Sequence, residues 1–132
     1  MSAFERGLDL FRTARYEMAQ AELTAAVQQE PGNPQAWRYL AATYFSTGDF
    51  VNAEEPARYC AELTPGDPAV HLNVAIILRK LGRWEEAHAA LDECFRLRPD
   101  YEAARVELGK HNTHAPPADS WVEEPEFEPL SE

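Results

Sequence analysis

PQAWRYLAATYFSTGDFVNAEEPARYCAELTPGD, residues 34–67, is followed by a second version of itself. Displaced by 34 residues, Pro34, Ala53 and Pro65 fall on Pro68, Ala87 and Pro99. Trp37, Leu40 and Ala41 fall on His71, Val74 and Ala75, and Tyr44, Gly48 and Phe50 on Leu78, Gly82 and Trp84. The two cysteines coincide, Cys60 on Cys94. In the other direction Gly7, Tyr16, Ala19, Ala26 and Pro31 occupy the same columns. A fixed period of this length marks a stacked repeat, in which each unit buries its apolar face against its neighbours.

Within each period the apolar residues recur at helical spacing, so each repeat is predicted to be two helices. Ser2 followed by Glu5 is a capping box, which starts the first helix at Ala3. Ala14-Arg15 makes a tight turn, and Tyr16 opens a second helix to about Gln29, with Ala19, Leu23 and Ala26 as its packing stripe. Pro31-Gly32-Asn33-Pro34 stops one helix and starts the next, since proline suits a first turn. The second repeat is predicted as Pro34–Thr47 and Phe50–Leu63, with Gly48 in the turn and Asp49 as N-cap. Pro56 falls inside that helix, where it removes a backbone bond and should bend or weaken it. The third repeat is predicted as Pro68–Leu81 and Trp84–Leu97, and a seventh helix as Glu102–His111. Arg105 and Arg6 stand in apolar columns, which suits helices exposed at the two ends.

Trp37, Leu40-Ala41, Tyr44, Gly48, Phe50, Ala53 and Pro65 together resemble the signature of the tetratricopeptide repeat. The resemblance covers Ser2 to Gly109. It implies an all-α fold, a right-handed α-solenoid of three helix-turn-helix repeats (1–33, 34–67, 68–101) plus a capping helix at 102–114. Residues 115–132, APPADSWVEEPEFEPLSE, change in character. Four prolines, six acidic and no basic residues predict a disordered acidic tail, yet one carrying Trp121, Phe127 and Leu130.

Composition narrows the function. The chain of 132 residues has a net charge of -11. That disfavours nucleic acid, whose phosphates need Lys and Arg, and anionic membranes. No apolar run reaches membrane-span length, and the N-terminus lacks the uninterrupted apolar core of a secretory signal. Cys60 and Cys94 read as small buried residues, one repeat apart and beyond disulfide reach. A reducing, cytoplasmic setting follows as the expectation. No phosphate loop, nucleophile elbow or zinc-protease motif is present, so no enzyme, cofactor or metal is expected. His71 takes a packing column, and His111 and His114 lack a third ligand nearby. The glutamate pairs Glu54-Glu55 and Glu85-Glu86 read as solvated charge.

The resemblance implies a concave groove lined by the first helix of each repeat. By column its floor comprises Phe4, Leu8, Phe11 and Arg12, then Arg38, Tyr39, Ala42 and Phe45, then Leu72, Asn73, Ile76, Arg79 and Lys80. Val106 and Lys110 extend the row into the cap. An apolar floor edged by cations suits a protein or peptide partner with acidic character. One subgroup of the family grips acidic chaperone tails with a Lys/Asn/Asn/Lys/Arg clamp. The matching positions here are Phe4, Leu8, Tyr39, Ala69 and Asn73, so that clamp is absent. In layout the chain resembles the small secretion chaperones that shield apolar client segments. The expected function is a non-catalytic interaction module, an adaptor or client-binding chaperone. The alternative is a self-associating scaffold, a homo-oligomer in which the acidic tail occupies its own or a neighbour's groove.

Overall fold

A computed structural model of the chain describes residues 1–113. Among them are seven α-helices and no strand: α1 (Ala3–Arg12), α2 (Tyr16–Gln29), α3 (Pro34–Ser46), α4 (Phe50–Leu63), α5 (Pro68–Lys80), α6 (Trp84–Leu97) and α7 (Glu102–Thr113). They fall into two compact units, Met1–Leu63 with α1 to α4 and a second beginning at Thr64 with α5 to α7. No described helix is long and apolar enough to cross a membrane. Trp121, Phe127, Leu130 and His114 lie outside the described residues.

In the first unit, Ser2 and Glu5 close the expected capping box. The Ser2 hydroxyl accepts from the Glu5 backbone N–H at 3.1 Å, and the Glu5 carboxylate accepts from the Ser2 N–H at 3.0 Å. That backbone N–H, with the Ser2 hydroxyl, holds the Glu5 carboxyl below the usual carboxylate range. α1 packs on α2, whose Ala19, Leu23, Ala26 and Val27 are buried. A Cβ on Gly7 would stand 2.6 Å from Leu23 Cγ, so the two helices meet as closely as glycine allows. The same three columns supply the buried stripe of α4, namely Ala53, Ala57 and Cys60, and in the second unit that of α6, Ala87, Leu91 and Cys94. α4 continues through Pro56, which is buried.

The turn within each pair is built the same way three times. Ala14, Gly48 and Gly82 adopt positive φ, at 60°, 78° and 76°. The N–H of each bonds the carbonyl three residues back, at 3.0, 3.0 and 2.9 Å, onto Phe11, Phe45 and Arg79. The next N–H bonds five residues back, Arg15 to Leu10, Asp49 to Tyr44 and Arg83 to Leu78, at 2.8 to 2.9 Å. This is the Schellman closure, which satisfies carbonyls left over at a helix end. The link between repeats recurs too. Asn33 and Asp67 cap α3 and α5, each accepting from an N–H two residues on at 3.0 Å. Trp37 Nε1 donates to the Pro31 carbonyl at 2.7 Å, and His71 Nε2 contacts the Pro65 carbonyl at 2.7 Å. A carbonyl only accepts, so His71 carries its proton on Nε2 and reproduces the tryptophan's bond.

Three boundaries differ from the sequence expectation. α3 and α5 end one residue earlier, because Thr47 and Leu81 serve as C-caps. α7 runs two residues further, to Thr113. No glycine or proline follows Gly109 before Pro116, so nothing local stops it at His111.

Candidate interaction surface

The first-helix face of the first unit is an aromatic shelf. Phe4, Leu8 and Phe11 follow one another at i, i+4 and i+7 on α1, which puts them on one side. Tyr39 of α3 meets two of them, its ring 6.3 Å from Phe4 and 5.4 Å from Phe11. Phe11 also meets Tyr16 edge-on at 5.8 Å. All of these residues are half-buried, so the rings hold one another while part of each stays open. Aromatic side chains fixed in this way offer large contact area with little rotamer entropy left to lose.

The cations of this face behave differently from one another. Arg12 is exposed at the end of α1. Arg38 is buried, with its guanidinium carbon 4.7 Å from the Tyr39 ring centroid, a cation–π contact that steadies the tyrosine. Ala42 and Phe45, read from the sequence as groove floor, are buried in the helix packing. The Phe45 ring lies 5.3 Å from Phe50, at the turn between α3 and α4.

In the second unit the corresponding row is closed. Leu72, Asn73, Ile76, Arg79 and Lys80 of α5 are all buried. Arg79, expected from the sequence to orient an acidic partner, is 0 % exposed and forms an ion pair with Glu107 of α7. It therefore ties α7 to α5, and its charge is answered inside its own chain. Nothing in a single sequence links positions 28 residues apart, so this pairing was not legible beforehand. Tyr101, just before α7, and Ala104, Glu107 and His111 within it are buried while Arg105 and Val106 are exposed, so one face packs and the other meets water.

The other chemistry-bearing side chains are dispersed or inert. Both cysteines are buried thiols outside any disulfide. Burial pushes the Cys94 thiol up to about 12, and its Sγ lies 3.5 Å from the Pro68 carbonyl, a bond to the start of α5. His111 stacks edge-on with Trp84 at 5.6 Å and lies 5.4 Å from the His88 ring. Among the described residues no three His, Cys, Asp or Glu side chains gather closely enough to hold a metal ion.

Comparison with known proteins settles the family. The tetratricopeptide repeat pattern matches residues 4–68 and again 68–101. The chain belongs to the tetratricopeptide repeat family. The seven helices among its described residues and its solved neighbours fit the all-α solenoid that this family builds. Mouse superkiller complex protein 3 is 30% identical over 105 residues, 80% of this chain. The human PEX5-related protein is 26% identical over 100 residues, 76% of this chain. The chain spans only 7% and 16% of those relatives. Among solved structures, the second TPR domain of human RPAP3 in complex with an HSP70 peptide superposes with a TM-score of 0.79 at 22% identity. It covers 84% of this chain and 92% of that one. The Yersinia enterocolitica type III secretion chaperone SycD, in complex with a peptide of the translocator YopD, gives 0.71 at 16% identity, covering 85% and 86%. At these identities the likeness is one of fold.

Proposed function

We propose that this protein is a non-catalytic interaction module whose first-helix face receives an acidic, aromatic peptide segment of a partner. The observation that carries this reading is the shelf of Phe4, Phe11 and Tyr39, half open and flanked by Arg12. Apolar area anchors the segment and the exposed guanidinium selects acidic neighbours. Solved neighbours of the same fold hold peptides, which supports peptide recognition as the mode. They do not lend their specificity. At Phe4, Leu8, Tyr39, Ala69 and Asn73 this chain lacks the polar clamp its resemblance would require for chaperone tails. The role is that of an adaptor or of a chaperone for an apolar client segment, in a reducing cytoplasm where both thiols stay reduced.

A second reading is favoured by the chain's own sequence. Residues 115–132 combine Trp121, Phe127 and Leu130 with six acidic side chains, the chemistry that the shelf selects. Docked in its own chain the segment would autoinhibit; docked in another copy it would build a homo-oligomeric scaffold. A labelled peptide of sequence 115–132, titrated against the full chain by fluorescence anisotropy, tests the surface. Tyr39→Ala and Arg12→Glu should each weaken binding by about tenfold or more, the scale of an interface anchor. Two variants that bind like the parent would overturn the proposal. Sedimentation of the full chain beside one ending at Thr113 separates the readings. Loss of an oligomer on truncation supports the scaffold, and an unchanged monomer removes it.

A further inference from the structure

We propose that the outer stripe of α4 is a second docking surface, one that takes a basic amphipathic helix of a partner protein. The repeats supply an internal comparison. Val51, Glu54, Glu55, Arg58, Tyr59 and Glu62 are spaced as one continuous helical stripe and line one shallow groove. The equivalent positions of α6 carry Glu85 for Val51 and Glu93 for Tyr59, and those of α2 carry Glu17 and Ala25. Thus two large apolar side chains stand where the sister helices place charge or a methyl group. Neither is buried by the fold: Val51 is 73 % exposed and Tyr59 43 %.

Tyr59 is presented rather than loose. Its ring stacks on Trp37 at 4.5 Å and 28°, and Trp37 is itself tied to the Pro31 carbonyl. One face of the phenol ring is thereby backed, and the exposed part is an electron-rich surface of the kind that attracts Lys and Arg. The charge around it is negative on balance. Glu54, Glu55 and Glu62 outnumber Arg58, which pairs with Glu54 at 2.8 Å. Val51 and Tyr59 are separated by about 12 Å along the axis at 1.5 Å per residue, two turns. An approaching helix with aliphatic residues two turns apart, flanked by lysines or arginines, meets both apolar positions and the carboxylates together. The surface differs in helix and in charge from the aromatic shelf, so it does not depend on that reading.

The test uses the full, isotope-labelled chain and a short helix-forming peptide of leucine and lysine, with two controls: a lysine peptide of equal charge and a peptide of leucine and glutamate. Saturable amide shifts centred on Val51, Glu55, Tyr59 and Glu62 are expected with the leucine–lysine peptide and not with either control. Val51→Glu and Tyr59→Glu install the residues α6 already uses, so the helix tolerates them. Each should weaken binding by about tenfold. Val51→Glu leaves the Trp37 contact untouched and keeps the test clear of any folding defect. Unchanged affinity in Val51→Glu, equal binding of the plain lysine peptide, or shifts confined to 115–132 would each overturn the proposal.

Discussion

Ala14→Gly should stabilise the protein, and Gly48→Ala and Gly82→Ala should destabilise it. The three residues close equivalent turns with φ of 60°, 78° and 76° and nearly the same hydrogen bonds. In this left-handed region a Cβ crowds the following carbonyl, at about 1–2 kcal/mol. A Cβ added to Gly48 or Gly82 would meet nothing within 4 Å. The cost there is therefore of the backbone alone, with no packing to blur it. Against it stands the extra freedom glycine gives the unfolded chain, about 0.4–1 kcal/mol. The net expectation is a gain of about 0.5–1 kcal/mol for Ala14→Gly and a similar loss for each reverse change, by difference of those two effects. Urea unfolding followed by circular dichroism reads this as a shift of midpoint at constant slope. If Ala14→Gly destabilises, or if Gly48→Ala and Gly82→Ala are neutral, the equivalence of the three turns is wrong.

Gly7→Ala should cost about 1–3 kcal/mol, the penalty for overpacking, because its Cβ would lie 2.6 Å from Leu23 Cγ where Leu23 is 0 % exposed; thermal unfolding checks it. Trp37→Phe keeps a ring against Tyr59 but loses the bond to Pro31, and His71→Phe loses the bond to Pro65. Each should cost about 1 kcal/mol in urea unfolding. Cys94 should resist a thiol reagent at mild alkaline pH until denaturant is added, since burial raises its pKa to about 12. Above the ordinary thiol range the unfolded chain ionises at this cysteine and the folded one does not. Stability contributed by the neutral thiol is therefore intact below that range and falls as pH rises towards about 12.

The legible and illegible parts of this structure divide by range. Helix starts at Ala3, Pro34 and Pro68 were readable because capping boxes, Asx caps and first-turn prolines act over three or four residues. The turns were readable because Gly48 and Gly82 share a column, and that column passes through Ala14, whose positive φ the residue type alone does not announce. The shelf of Phe4, Phe11 and Tyr39 followed from helical spacing plus the repeat register. The α5 row did not. Arg79 and Lys80 sit in the same columns as the half-buried Phe11 and the exposed Arg12 of the first repeat, yet they are buried, and Arg79 is held by Glu107. Column position fixes which way a side chain points along its own helix. It does not fix what covers it, because that depends on distant residues.

The first measurement to make is a proton–nitrogen NMR titration of a chain ending at Thr113 with a separate peptide of residues 115–132. Saturable shifts are expected at Phe4, Phe11, Arg12, Arg38 and Tyr39, and they should be lost in Tyr39→Ala. Absence of shifts at those residues, or the same titration in Tyr39→Ala as in the parent, would contradict peptide recognition by the shelf.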